Sequence, residues 1–187
     1  MSLVNLKKYK ETLTLLSQKY ATTEDAIENI FCFGLTKKIH NILLRKQSVE
    51  VVVLVGQHSQ SKSVINIAAF LSNLGHKIHL FFEEGVDLSS AKLWPFSSHQ
   101  LKSVRLLESY LDRIKGEYVF IDGLMESGVE LPISDHSYEL IKLINECRKD
   151  TFSLDVPSGL HADTGEVSST AIKASYTLAL GPAKLGL

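Results

Sequence analysis

Val51-Val52-Val53-Leu54-Val55 is an unbroken apolar, mostly β-branched run directly ahead of Gly56, and it limits the fold more than any other stretch. A strand with one wet face alternates apolar and polar residues. A continuous run instead fits a strand covered on both faces of a parallel sheet. Downstream, strand-like and helix-like patterns take turns: a helix from Ser63 to Leu74 ending at Gly75, then strand Ile78 to Phe82. A second helix carries Leu101, Val104, Leu107, Leu111 and Ile114 on one face and stops at Gly116. Strand Tyr118 to Asp122, helix Tyr138 to Arg148, strand Thr151 to Asp155 and strand Tyr176 to Leu180 complete the series. Such alternation predicts right-handed βαβ units, and hence an α/β, three-layer αβα sandwich around a mostly parallel sheet. The Ser-rich stretch from Asp87 to Ser103 reads as the mobile surface loop.

Ahead of the sheet the period is helical. Leu3, Leu6, Tyr9, Leu13 and Leu16 form one apolar face, and Ile27, Ile30, Phe31, Leu35, Ile39 and Leu43 a second. Thr22 and Thr23 followed by Glu24 and Asp25 supply a hydroxyl cap and an acidic first turn for the second helix. At 187 residues, with no repeat, low-complexity tract or linker, residues 1–187 are expected to form one domain.

Composition excludes several classes. Twenty Lys+Arg against 21 Asp+Glu leave a net charge of −1, so no basic surplus is available for a nucleic-acid backbone. No apolar run approaches the roughly 18 residues of a membrane span, and the N-terminus lacks a signal-peptide core. Cys32 and Cys147 form no CxxC pair, which fits a reducing, cytoplasmic setting. Seven scattered histidines show no zinc-type spacing.

Ligands of open parallel sheets bind beyond the carboxyl ends of the strands, which here are Gly56, Asp122 and Asp155 onward. Gly56-Gln57-His58-Ser59-Gln60-Ser61-Lys62-Ser63 nearly spells the phosphate-binding loop of nucleoside triphosphatases, with Lys62 for phosphate and Ser63 for a metal. Ser61 stands where that loop requires a glycine, so a P-loop-like NTPase is the lesser alternative. Asp163-Thr164-Gly165 spells the aspartic-protease tripeptide but has no second copy to share a proton, and reads as a turn. Phe152-Ser153-Leu154-Asp155-Val156-Pro157-Ser158-Gly159 differs in kind: an acid closes a buried strand and Pro157 ends it. Asp155 is there either a general acid/base at low dielectric or a cap of its own turn, and the pattern leaves both open.

The run Asp155 to Val167, Ala171-Ile172-Lys173-Ala174 and Gly181-Pro182-Ala183-Lys184-Leu185-Gly186-Leu187 resembles the NAD(P)H-hydrate epimerase family, the YjeF N-terminal domain. Tyr118 to Gly128, Val51 to Leu71 and Ile27-Glu28-Asn29 are similar to its upstream segments, so the resemblance covers most of the chain. It implies a Rossmann-type sandwich, a homodimer, and interconversion of the R and S epimers of hydrated NADH and NADPH (NADHX and NADPHX). It also implies Asp155 as the catalytic acid. A potassium ion is implied at Asp122 and Ser158, with Gln60 as a further oxygen ligand. Gly56, Ser59, Gln60, Ser61, Lys62, Ser63, Glu126, Ser127, Gly128 and Asp155 fall on the substrate-binding positions. The family continues past the position of Leu187, in bifunctional members into a dehydratase domain.

The departures cluster in one place. Where the family reads G-x-G-N-N-G-G-D-G, only Gly56 keeps its glycine; Lys62 replaces a glycine and Ser63 the acid. Glu126 replaces another glycine and sets a negative charge beside a phosphate-bearing substrate. Two readings follow: an epimerase-type enzyme resting on Asp155, or a degenerate ligand-binding or dimeric scaffold without turnover.

Overall fold

The structure, a computed structural model, describes residues 3–89, 94–128, 131–167 and 169–187. Its elements run α1 (Leu6–Lys19), α2 (Glu24–Leu43), β1 (Glu50–Val55), α3 (Ser61–Asn73), β2 (Ile78–Phe82), β3 (Ser97–Gln100), α4 (Val104–Leu111), β4 (Tyr118–Gly123), α5 (Asp135–Glu146), β5 (Thr151–Leu154) and β6 (Tyr176–Leu178). The strands form one sheet in the order β3-β2-β1-β4-β5-β6, every pairing parallel. The order reverses between β1 and β4, so this is a doubly wound α/β sandwich whose switch point lies between the ends of those two strands.

The β1 run explains the layering. Val51, Val53 and Val55 pack with α2 and α3 residues such as Cys32, Leu35, Val64 and Leu71. Val52 and Leu54 pack on the opposite face with Leu107, Leu111, Leu140 and Ile144 of α4 and α5. Each full burial of such a side chain contributes about 1.5–3 kcal/mol. A third small cluster joins α1 to α2 through Tyr9, Leu13 and Ile27.

Asn5 caps α1 by accepting from Lys8 N, and Thr23 caps α2 through Ala26 N, as its hydroxyl and following acids predict. Gly75, at φ +88°, ends the turn after α3 in the left-handed region. Four expectations shift. Four residues of the Ser-rich stretch, Ser97–Gln100, form the edge strand β3, which its polar sequence conceals; residues 90–93 of that stretch lie outside the described residues. α4 ends at Leu111 rather than reaching Gly116, and α5 starts at Asp135 because Ser134 caps it. β5 ends at Leu154, so Asp155 is the first residue past the strand. Among the described residues no helix is long and apolar enough to cross a membrane.

Candidate functional site

The loops after β1 and β4 lie in direct contact. Gly56 N donates to Gly123 O at 2.9 Å, and a Cβ on Gly56 would lie 1.8 Å from Leu124 O. This is the one glycine of the remodelled loop, and the approach of two backbones requires it.

Side chains of the same loop fill the space beside that contact. His58 Nε2 donates to Gly123 O at 2.9 Å while its Nδ1 accepts from Gln60 N at 3.2 Å, which defines a neutral tautomer. Ser61 Oγ lies 2.5 Å from Gly56 O and 2.6 Å from His58 O, and accepts from His58 N. Ser59 Oγ donates to Glu126, bridging the two loops. Lys62 turns away to pair with Asp25 of α2 at 2.8 Å, so its ammonium does not face the cradle that a phosphate-binding loop would form. Gln60 is the N-cap residue of α3 without a capping side-chain bond, and Ser63 is buried with its hydroxyl 3.4 Å from Glu28. A cleft of about 400 Å³ borders Gln57, Ser59, Ser61 and Lys62, and one of about 310 Å³ borders Leu124, Met125, Glu126 and Ser134. His58 lines both, and Asp155 lines neither. Ser127 is buried and Gly128 exposed at the end of the β4 loop.

Asp122, at the end of β4, is 1% exposed and holds four donors. Its Oδ1 accepts from Ser158 Oγ at 2.6 Å and Leu124 N at 3.3 Å. Its Oδ2 accepts from Ser153 Oγ at 2.7 Å and Ser158 N at 3.0 Å. Ser158 Oγ in turn accepts from Met125 N at 3.1 Å. A carboxylate offers about four lone-pair sites, and here all are engaged. The structure thus brings Asp122 and Ser158 together, but an ion would have to displace these bonds, and in this arrangement they do not fit a potassium site. Among the described residues no group of three or more His, Cys, Asp or Glu is arranged to hold a metal.

Asp155 takes φ +67°, a left-handed conformation in which Asp is among the few tolerated side chains. Its N donates to Leu178 O of β6 at 2.8 Å, which ties the residue to the end of the neighbouring strand. Asp155 and Lys184 are both wholly buried, with Lys184 Nζ 2.6 Å from Asp155 Oδ1. Leu180 N also donates to Oδ1, at 3.2 Å, whereas Oδ2 has no hydrogen-bond partner among the described residues. Tyr9 lies against Lys184, Glu28 feels the Asp155 charge, and Cys32 feels that of Glu28. Burial, followed by the charges of Asp155 and Glu28, pushes the Tyr9 hydroxyl well above its ordinary value. Burial raises the Glu28 carboxyl, and burial pushes the Cys32 thiol up to about 11, so that thiol is inert near neutrality.

Sequence reasoning missed Lys184 as a site residue. It stands between Ala183 and Leu185 near two glycines and a proline, a lone cation in an otherwise uncharged terminal stretch, and that was the available signal. Tyr9 reads as one more apolar position of a helix, and Ser153 as one residue of the strand that Asp155 closes.

Comparison with known proteins agrees with this architecture. The family model of the YjeF-related protein N-terminus matches residues 25–186. The chain is 33% identical over 147 residues to a bifunctional NAD(P)H-hydrate repair enzyme of Thermosynechococcus vestitus, covering 75% of this chain and 28% of that protein. A second bifunctional repair enzyme, from Dictyoglomus turgidum, is 26% identical, with 100% of this chain and 37% of the relative covered. An NAD(P)H-hydrate epimerase of Elusimicrobium minutum is 24% identical over all of this chain and 88% of its own. This chain therefore spans well under half of the bifunctional relatives and most of the epimerase. Among solved structures, yeast ynu0 (YNL200c) superposes with a TM-score of 0.80 at 17% identity, covering 100% of this chain and 83% of that one, and shares the fold.

Proposed function

The chain belongs to the family of YjeF-related protein N-termini, and from that membership we propose that it interconverts the R and S epimers of hydrated NADH or NADPH. One observation carries the reading: a wholly buried carboxylate, Asp155, has one oxygen held by Lys184 and the other without a hydrogen-bond partner among the described residues. Epimerisation of the hydrated ring needs a group that takes a proton and gives it back. When the carbon–nitrogen bond opens, the hydroxyl oxygen loses its proton and becomes a carbonyl, while the ring nitrogen gains one. Reclosing on the opposite face reverses both transfers, so atoms and electrons balance. Asp155 Oδ2 is the oxygen available for that relay, and the Lys184 charge stabilises the carboxylate between steps. Ser59, Ser61 and Lys62 on one side of His58, and Glu126 on the other, border the clefts for the rest of the substrate. No step of this reading uses potassium.

The reading treats residues 1–187 as one unit acting as a homodimer in a reducing cytoplasm. Support comes from exposed Ile30 and Phe33 on the outer face of α2, and from two free cysteines, Cys32 and Cys147. A scaffold without turnover is favoured by a different observation: the loop after Gly56 is filled by its own His58 and Ser61. One experiment separates the two, the interconversion of purified R and S hydrated NADH followed by chromatography, with Asp155→Ala as control. Turnover abolished by the substitution supports the enzyme; rates equal to the uncatalysed background in both proteins support the scaffold.

A further inference from the structure

Tyr9 belongs to α1, ahead of the residues that match the family model, yet it roofs the buried Asp155–Lys184 pair. Lys184 Nζ lies 3.9 Å from the Tyr9 ring centroid and 2.6 Å from Asp155 Oδ1. We infer that Tyr9 is a positioning residue whose ring face holds the Lys184 ammonium on Oδ1 and so keeps Oδ2 free for the substrate, an inference that rests on the epimerase reading.

The physical argument begins with the ammonium. It carries three donors on a flexible stem, and a buried ammonium turns toward whatever acceptors it finds. An aromatic face attracts the cation through its quadrupole while offering no acceptor to compete with a carboxylate. With Tyr9 on one side, its acceptors among the described residues are Asp155 Oδ1 and, at 3.4 Å, Pro182 O. The Tyr9 hydroxyl is buried without a hydrogen-bond partner among the described residues, so the ring rather than the hydroxyl makes the contact.

The surroundings fix the ring in place. Val4 N donates to Ala183 O at 2.9 Å and Leu185 N to Val4 O at 3.1 Å, which stitches the segment before α1 to the one carrying Lys184. Leu6 N donates to Asp163 Oδ1 at 2.9 Å, tying the first turn of α1 to the loop beyond Asp155. Gly181, at φ +88°, passes so close that a Cβ would lie 3.1 Å from Tyr9 Cε2. A side chain there would push the ring off the ammonium.

The test compares Tyr9→Phe with Tyr9→Leu in the full chain. Tyr9→Phe keeps the ring and is expected to hold kcat within about twofold, with a melting temperature at or above the parent's, since an unpaired buried hydroxyl is removed. Tyr9→Leu removes the ring face and is expected to lower kcat by about tenfold, with KM changed far less. Tyr9→Met takes its place should it fail to fold. Acetic anhydride labelling followed by mass spectrometry gives a readout without turnover: Lys184 stays protected in the parent and Tyr9→Phe, and becomes labelled once the ring is gone. Loss of kcat in Tyr9→Phe equal to that of the leucine variant, or unchanged kcat and protection without the ring, overturns the inference. A parent without turnover sinks the epimerase reading instead, and labelling still decides the Tyr9 contact.

Discussion

Lys184 places its ammonium 2.6 Å from Asp155 Oδ1 in a site that neither side chain shares with solvent. Desolvating two charges is costly, and their mutual attraction, with the Leu180 N–H on Oδ1 and the Tyr9 ring on the ammonium, offsets it. Lys184→Met strands the carboxylate and is expected to cost about 3–5 kcal/mol. Adding Asp155→Asn, which keeps a side chain tolerated at positive φ, should recover part of that loss. Urea unfolding at constant slope measures both, and a double variant no more stable than Lys184→Met alone would contradict the pairing argument.

Asp122 makes a second, cheaper forecast possible. Ser153→Ala removes one of its four donors and should cost about 1.5–3 kcal/mol, the range for a bond to a charged group. Because the carboxylate is already satisfied from within the protein, exchanging potassium for sodium at constant ionic strength should move the parent's melting temperature by less than about 1 °C. A saturable rise with potassium would show that the ion displaces Ser153 and Ser158.

Glu126 tests the remodelled loops. Its carboxylate borders the cleft and accepts from Ser59, so Glu126→Gln removes a negative charge without emptying the site. For a substrate carrying a pyrophosphate, KM should fall by about three- to tenfold, with a weaker salt dependence than the parent shows. Steady-state kinetics at two ionic strengths checks it; an unchanged KM places the phosphates elsewhere.

His76 sets a pH response outside the site. Burial, and then the neighbouring His40, hold its imidazole below the ordinary histidine value. His40 Nδ1 and His76 Nε2 lie 2.8 Å apart, a bond that needs one ring nitrogen unprotonated. The unfolded chain takes up the proton first as pH falls below about 6.5, so stability drops from there until the depressed folded value is passed. Burial depresses His99 in the same direction. His76→Gln should flatten part of that slope in denaturant titrations between pH 7 and pH 5.

How much of this was readable beforehand depends on distance along the chain. β1 and β2 follow from their apolar runs, and the α2 cap from Thr23 with Glu24 and Asp25, because those signals are local. β3 was hidden, since an edge strand of Ser97-Ser98-His99-Gln100 needs no apolar pattern to be held by β2. Asp155 stood out as an acid closing a buried strand, whereas its partner Lys184 lies 29 residues further on and meets it only through the turn after β6. Tyr9 is further removed still. Its role depends on α1 folding back over the carboxyl-terminal segment, and helical periodicity reports which face is buried without saying against what.

The two outermost strands are short, four residues in β3 and three in β6. An edge of that length exposes only a few backbone donors and acceptors, too few to template a foreign strand. The sheet therefore resists both growth by strand addition and the amyloid-type stacking that long, flat borders invite. In the proposed homodimer, contact between copies would then fall to the helical layers, where side chains rather than main-chain hydrogen bonds choose the partner.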